Sequence, residues 1–271
     1  MRKLDRLGWA EAITFESFGV RFRVRADDAA ALARLAGLLP PGSSPAPCGE
    51  VERLYSVRTG GEARRGLRRF KLLYADDALV ARTAEAEELF ERFESDLQLA
   101  VAESARGRVF VHAGVVGWRG RAVLLPGRSF AGKTTLTAEL LRAGASYYSD
   151  EFAVLDARGR VHPYAKPLAV RVEGGRQRKV APGEFGGCAA CGPLPVGLVV
   201  VSEFREGARF RPRVLSKGLG SLALLANAIP ARRRPAAVLE TLARVADGAT
   251  FLRGARGEAA EAARRILETA S

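Results

Sequence analysis

The sequence is poor in cysteine, methionine and histidine, and it contains no long apolar run. Its three cysteines, Cys48, Cys188 and Cys191, are too few for the multi-bridge framework of a small secreted domain. The first residues, MRKLDRLGWAEA, lack the apolar core of a signal peptide, and no run approaches the roughly 18 apolar residues that cross a bilayer. These absences predict a cytoplasmic protein without a membrane span.

Lysine is scarce as well, since only six of the 43 basic residues are lysines, although the formal net charge is +13. Residues 1–108 contribute a net charge of +1, and residues 109–271 contribute +12. A basic excess is compatible with nucleic-acid binding, but an arginine-rich composition also follows from genomic base composition. Because no aromatic and basic residues are interleaved in a recognition motif, we do not expect a nucleic-acid partner.

The length of 271 residues and the hydrophobic content of 48% favour one large or two modest domains. In residues 1–105, alternation of apolar and basic residues predicts strands, and apolar residues at helical spacing predict helices. The predicted elements are a strand over 13–25 with a bend near Gly19, helices over 28–39 and 84–105, and strands near 51–58 and 70–83. This part of the chain is predicted to form a small α+β domain.

Residues 106–271 follow a different order of patterns. Two apolar runs on either side of Trp118-Arg119-Gly120 predict a hairpin, a helix follows at 133–143, and short β segments come next. Because hairpin-like segments lie on both sides of this helix, we expect a mixed sheet. Later amphipathic segments predict helices that close the core, over 219–229, 235–246 and 258–269. The predicted fold class is therefore α/β, with a mixed sheet and flanking helices in residues 106–271.

A phosphate-binding motif lies between the second strand of this hairpin and the following helix. Gly127, then four residues, then Gly132, Lys133 and Thr134 match G-x-x-x-x-G-K-[ST] in the strand–loop–helix context that the motif requires. Backbone N–H groups at such a helix N-terminus bind phosphate oxygens, a lysine neutralises them, and the hydroxyl ligates Mg²⁺. The sequence thus predicts ATP and Mg²⁺ binding. The predicted nucleotide-binding residues are Gly127, Ser129, Ala131, Gly132, Lys133, Thr134 and Thr135.

Two adjacent acids, Asp150 and Glu151, follow the helix at the start of a predicted strand. Successive side chains of a strand point to opposite faces, so one acid would face the site unless a bulge redirects the pair. One of them could ligate Mg²⁺, and the other could take the proton from an attacking hydroxyl. The alternative is a solvated acidic pair at the end of a strand.

Histidines and further cations lie in the neighbouring β segments. His112 precedes Gly127 by 15 residues on the strand predicted to pair with the loop strand, whereas we expect His162 to be structural. Lys166 and Arg171 could hold a phosphate or an acidic substrate, although surface charges are the default interpretation. Cys188 and Cys191 form a single C-x-x-C pair, which we interpret as part of a loop, with metal or redox use as the alternative.

The combination of His112-Ala113-Gly114, PGRSFAGKTTL, YYSDE and HPYAKPLAVR resembles the HPr kinase/phosphorylase family, which has a phosphoenolpyruvate-carboxykinase-like fold. The resemblance covers roughly residues 106–271, and it extends to HPr-kinase-like proteins of bacterial biosynthetic clusters, some of which phosphorylate a serine of a lasso-peptide precursor. It implies that Lys133 and Thr134 hold phosphates and Mg²⁺, that Asp150 aids metal binding, and that Glu151 activates a seryl hydroxyl with His112 beside it.

Some positions depart from the family pattern. Phe130 stands where the family usually has glycine, Glu151 replaces the second aspartate, and the segment for phosphorolysis is not recognisable. We therefore expect an ATP- and Mg²⁺-dependent serine kinase acting on a protein or peptide. The alternatives are a non-catalytic nucleotide-binding regulator and a kinase of a free small molecule such as serine. Homo-oligomerisation is left open.

Overall fold

The computed structural model describes residues 3–60, 70–127, 132–171 and 177–270. Within these ranges, no helix combines the length and apolar character that crossing a membrane requires. The chain divides into two compact units, Met1–Arg106 and Gly107–Ser271.

The first unit is a mixed sheet with helices against one face. Its helices are α1 (Ala29–Ala36) and α2 (Ala86–Ser104), and its strands are β1 (Glu11–Ser17), β2 (Val20–Ala26), β3 (Ser44–Pro45), β4 (Arg53–Arg58), β5 (Lys71–Ala75) and β6 (Ala78–Thr83). The strand order is β3-β1-β2-β4-β5-β6. Among the described residues of this unit, β2 and β4 pair in parallel and the other strand pairs are antiparallel.

Local sequence accounts for most elements of this unit. The bend predicted near Gly19 is the β1–β2 turn, where Gly19 has a φ of 74°. Asp28 caps α1, because its carboxylate accepts a hydrogen bond from the Ala31 amide at 2.8 Å. The segment 70–83 is not one strand but the β5–β6 hairpin, which turns at Asp76 with a φ of 54°. Aspartate tolerates this left-handed conformation better than most residues.

The second unit is a larger mixed sheet with helices on both faces. Its helices are α3 (Lys133–Arg142), α4 (Lys217–Leu225), α5 (Pro235–Gly248) and α6 (Ala259–Thr269), and its strands are β7 (Val109–Trp118), β8 (Arg121–Pro126), β9 (Ser146–Ser149), β10 (Phe152–Leu155), β11 (Arg160–His162), β12 (Leu168–Arg171), β13 (Gln177–Val180), β14 (Leu194–Phe204), β15 (Arg213–Val214) and β16 (Thr250–Arg256). The predicted hairpin is β7–β8, and the strand predicted to pair with the loop strand does so.

The sheet combines antiparallel and parallel pairing. Its order is β11-β10-β7-β8-β14-β16-β15, and β9 pairs with β7 beside this path. Strand β7 runs antiparallel to β8, β9 and β10, whereas β8, β14 and β16 run parallel to one another. The predicted α/β class with a mixed sheet is thereby confirmed.

Apolar side chains fill both faces of this sheet. On one face, residues of β7 and β14 pack with α4 and α5 through side chains such as Leu224 and Leu242. On the other face, Val123 of β8 and Val200 of β14 pack with α3 and α6, which contribute Leu140 and Ile266 among others. The predicted C-terminal helices therefore close the core, as expected from their apolar faces.

Helix α4 approaches the sheet through a glycine. A methyl group on Gly220 would lie 2.2 Å from two ring carbons of Phe251, whereas one on Gly218 would meet nothing within 4 Å. Glycine to alanine normally stabilises a helix by up to about 1 kcal/mol, but overpacking costs about 1–3 kcal/mol. We expect Gly220→Ala to lower the free energy of unfolding by ~1–2 kcal/mol in a urea titration. The matched control Gly218→Ala should leave it unchanged or raise it, and equal effects of both changes would contradict the close approach.

Candidate active site

The candidate site is built where β8 ends and α3 begins. Residues 128–131, which include Ser129, Phe130 and Ala131, lie outside the described residues. The Gly127 amide donates a hydrogen bond to the His112 carbonyl at 3.2 Å, which fixes the end of the loop strand to β7. Lys133 lies back over the motif, because its Nζ donates to the Gly127 carbonyl at 2.8 Å. The lysine of the motif thus connects the start of α3 to Gly127, the first glycine of the motif.

Gly132 begins the helix in a conformation that favours glycine. It is the N-cap of α3 with a φ of 75°, and its carbonyl accepts a hydrogen bond from Nη2 of Arg256 at 2.9 Å. A Cβ at this position would lie 2.2 Å from the same nitrogen, so another residue would be strained at this φ and would displace the guanidinium.

Arg256 is a residue that the sequence analysis did not single out. It is the last residue of β16, it is only 3% exposed, and burial lowers the pKa of its guanidinium. A buried cation against the first turn of the phosphate-loop helix is unusual, because burying charge is costly. Arg256 could have been identified from the parallel pairing of β16 with β14, which in turn pairs with β8. The residues of a strand do not show which other strands it will pair with.

Asp150 lies beside the hydroxyl of the motif. Its Oδ2 accepts hydrogen bonds from Thr134 Oγ1 at 3.2 Å and from the Ala169 amide at 3.3 Å, and its Oδ1 accepts one from the Tyr147 hydroxyl at 3.3 Å. Burial raises the pKa of this carboxyl, and the hydrogen bonds from Ala169, Thr134 and Tyr147 oppose that shift. The carboxylate is therefore held by three donors at the base of the site.

The oxygens of Thr134 and Asp150 suit a magnesium ion. Mg²⁺ prefers hard oxygen ligands at about 2.0–2.1 Å in octahedral geometry, so neighbouring ligand oxygens lie about 3 Å apart. The observed separation of 3.2 Å between the two side-chain oxygens matches that spacing. The chemistry of this pair thus fits the ion that the motif implies.

The two acids do not belong to one regular strand. Strand β9 ends at Ser149 and β10 starts at Phe152, and the Ser149 hydroxyl accepts hydrogen bonds from the Glu151 and Phe152 amides at 3.1 and 3.0 Å. The pairing of β7 with β9 is irregular between Val115 and Val116. The pair therefore lies in a bend between two strands, which is the case in which the alternation of a continuous strand does not apply.

Both acids act electrostatically on Lys133. Burial lowers the pKa of the Lys133 ammonium, and the charges of Asp150 and Glu151 oppose the shift. Unlike Asp150, which is buried, the Glu151 side chain is 38% exposed, and its Oε2 lies 3.7 Å from Nζ of Lys166. Asp150 is thus enclosed beside the Thr134 hydroxyl oxygen, which could ligate a metal ion, and Glu151 is accessible to a substrate.

His112 lies on β7 behind this pair, directly opposite Phe152 in the register, with the two ring centroids 5.0 Å apart. Burial lowers the pKa of its imidazole, and the nearby Lys133 charge lowers it further. Its Nδ1 is buried and has no hydrogen-bond partner among the residues that the structure describes. The imidazole is therefore held neutral next to the site.

The other expected site residues occupy the edges. The Lys166 carbonyl accepts a hydrogen bond from the Tyr147 hydroxyl at 2.7 Å, so the segment leading to β12 is tied to β9. Arg171 ends β12 with an exposed side chain, and Thr135 lies on the exposed side of α3. Lys166, one of the two cations expected to bind substrate, lies within ion-pair distance of Glu151, a candidate catalytic acid.

The remaining histidine and the C-x-x-C pair lie apart from these acids. His162 Nε2 is 3.0 Å from Asp156 Oδ2, in the turn between β10 and β11. Cys188 and Cys191 are exposed, and the Cys188 carbonyl accepts a hydrogen bond from the Tyr147 amide at 2.9 Å. The described part of the chain contains no group of three or more His, Cys, Asp or Glu side chains arranged to hold a metal ion.

Burial of the Asp150 carboxylate predicts that this side chain lowers the stability of the protein, although it serves the candidate site. Because the pKa of Asp150 is raised on folding, its ionisation opposes folding, and that cost appears as the pH rises above the ordinary aspartate range. We expect Asp150→Asn to raise the melting temperature of the metal-free protein at pH 7, with a smaller difference at pH 4. Calorimetry of the variant and of the exposed control Asp247→Asn checks this. A lower melting temperature for Asp150→Asn at pH 7 would show that the carboxylate's hydrogen bonds outweigh its desolvation.

Comparisons with known proteins give distant structural similarity but no match in sequence. No family model matches the chain, and no curated protein matches it. The chain is similar to a solved structure of the HPr(Ser) kinase/phosphatase from Coxiella burnetii, with 14% sequence identity over 60% of this chain and 99% of that chain. The TM-score of this match is 0.32. At these values the match assigns no activity, and the functional argument rests on the site itself.

Proposed function

We propose that this chain is an ATP- and Mg²⁺-dependent kinase that phosphorylates a serine hydroxyl of a protein or peptide. The observation that carries the proposal is the grouping of Lys133, Thr134, Asp150 and Glu151 at the N-terminus of α3. A phosphate-binding helix terminus, an oxygen pair for a metal and an accessible carboxylate are the parts that phosphoryl transfer requires.

The phosphates would be bound by the start of α3. Helix N-termini offer unpaired N–H donors and a partial positive charge, and Lys133 adds a full charge at the same place. In the structure Lys133 bonds to the Gly127 carbonyl, which holds its ammonium over the motif. We infer that this ammonium turns to the β- and γ-phosphates when the nucleotide binds.

Thr134 and Asp150 would hold the Mg²⁺, which on binding neutralises phosphate charge. Asp150 is positioned for this role by the Tyr147 hydroxyl and the Ala169 amide. Its burial excludes it from contact with a macromolecular substrate, so its function would be to hold the ion and to keep Thr134 oriented.

Glu151 would be the general base. Its carboxylate takes the proton from the serine hydroxyl as the oxygen attacks the γ-phosphorus, the bond to the β–γ bridging oxygen breaks, and ADP leaves. The partly exposed position of Glu151 suits a hydroxyl that arrives from solvent on a large substrate. The neutral imidazole of His112 lies behind and adds no positive charge that would make the base weaker.

Isotope transfer tests the proposal. The full chain is incubated with γ-labelled ATP, Mg²⁺ and, separately, a library of serine peptides and free serine, and products are identified by mass spectrometry. Label on a peptide serine, together with ADP, is the expected result. Label on free serine alone would instead assign a small-molecule kinase, and ATP binding without any transfer would favour a nucleotide-dependent regulator.

A further inference from the structure

Three parallel strands of the second unit direct their carboxyl ends to the same edge of the sheet. Strand β8 leads into the phosphate-loop motif, β14 ends at Phe204, and β16 ends at Arg256. In open α/β sheets, ligands bind at the carboxyl ends of the strands. This edge therefore brings Phe204 and Arg256 to the end of the sheet where the nucleotide would bind.

The strand register places both side chains on the face that carries α3. Phe204 and Arg256 are direct partners in the β14–β16 pairing. Along β14, Leu198 and Val200 belong to the core on the α3 side, and Phe204 continues their alternation. Along β16, Leu252 belongs to the same core, and Arg256 continues that alternation.

Strand β14 also extends past the end of β8. Val199 pairs with Leu124, so Val201 is level with Pro126, the last residue of β8. Phe204 comes three residues later, which at about 3.3 Å per residue places it roughly 10 Å beyond the start of the loop. The ring is therefore displaced outward from the site of the phosphates, along the direction in which the strands end.

Arg256 connects this ring to the phosphate-binding helix. Its Nη2 bonds to the Gly132 carbonyl at 2.9 Å, and its guanidinium carbon lies 5.8 Å from the centroid of the Phe204 ring. The arginine is 3% exposed, whereas the phenylalanine is 58% exposed. A buried cation thus supports one side of an aromatic ring that remains open to solvent.

We propose that Phe204 is the stacking platform for the nucleobase and that Arg256 positions it relative to the phosphate loop. The inference rests on the proposed function, because it requires a nucleotide on the motif. An exposed aromatic ring costs free energy in water, and a flat base recovers it by stacking on the π-face. Because every base has such a face, the platform provides affinity for nucleotides rather than a choice among bases.

This platform is tested by measuring the affinity of the full chain for ATP and for inorganic tripolyphosphate. Calorimetry with Mg²⁺ present gives both affinities. We expect Phe204→Ala to weaken ATP binding about tenfold, equivalent to ~1.4 kcal/mol, and to change tripolyphosphate binding less than about twofold. Phe204→Trp should retain the affinity of the wild type for ATP. The control is Leu239→Ala, another exposed apolar side chain of this unit, which should change neither affinity.

Other results overturn the proposal in distinguishable ways. If wild type binds ATP and Phe204→Ala binds it equally well, the platform is wrong while the proposed function stands. If Phe204→Ala weakens the binding of ATP and of tripolyphosphate equally and leaves the melting temperature unchanged, the ring supports the phosphate loop instead. If wild type binds neither ligand, the proposed function and the platform fail together.

Discussion

Replacing Lys133 by methionine should weaken ATP binding by on the order of 10²-fold or more and remove phosphoryl transfer, because the lysine carries a full positive charge in the first turn of α3. Methionine has a similar length and no charge. Burial already lowers the pKa of the Lys133 ammonium, so an apolar replacement removes a desolvated cation and should be tolerated by the fold.

Nucleotide titration and the melting temperature together separate the two effects of Lys133→Met. The matched control is Lys217→Met, an exposed lysine at the first position of α4. We expect the control to bind ATP as the wild type does. An affinity of Lys133→Met within about twofold of the wild type, with the fold intact, would remove the motif lysine from the nucleotide site.

Replacing Glu151 by glutamine should lower the rate of phosphoryl transfer by about 10²–10⁴-fold while leaving ATP affinity nearly unchanged. The amide keeps the shape of the side chain but cannot accept the proton of the substrate hydroxyl. Glu151 is the accessible acid of the pair, and its carboxylate lies beside Lys166 rather than beside the Thr134 hydroxyl.

Single-turnover measurements with labelled ATP, and a parallel binding titration, test the role of Glu151. Glu240→Gln, an exposed glutamate of α5, serves as the control and should not alter the rate. A rate for Glu151→Gln equal to that of the wild type, combined with loss of transfer in Asp150→Asn, would transfer the role of base to Asp150. Loss of ATP affinity in Glu151→Gln would instead place this carboxylate in nucleotide binding.

Much of the architecture follows from local patterns. Alternating residues of β2 predict a strand, and the apolar runs on either side of Trp118-Arg119-Gly120 predict the β7–β8 hairpin that the structure contains. The phosphate motif is also local, since it needs only one strand, one loop and one helix in sequence. The hairpin over 70–83 was missed because its turn residues, Asp76 and Asp77, carry no glycine or proline signal.

The arrangement of the acids depends on more than the local pattern. A continuous strand would point Asp150 and Glu151 to opposite faces, whereas in the structure the Ser149 hydroxyl and the irregular pairing with β7 set the pair in a bend between two strands. At this bend Asp150 is enclosed by Thr134 and Tyr147, and Glu151 is partly exposed beside Lys166. A strand pattern in the sequence does not show where its partner will be out of register.

By itself, the sequence determined the phosphate motif, the helices, most of the strands and the mixed character of the larger sheet, because each depends on neighbours along the chain. Only the tertiary structure brought Arg256 to the Gly132 carbonyl, across 124 positions of sequence, and placed Phe204 next to it. Those contacts follow from the parallel pairing of β8, β14 and β16. Parallel pairing joins distant strands by backbone hydrogen bonds that no side-chain pattern specifies, and so the partners of a P-loop become known only when the sheet is assembled.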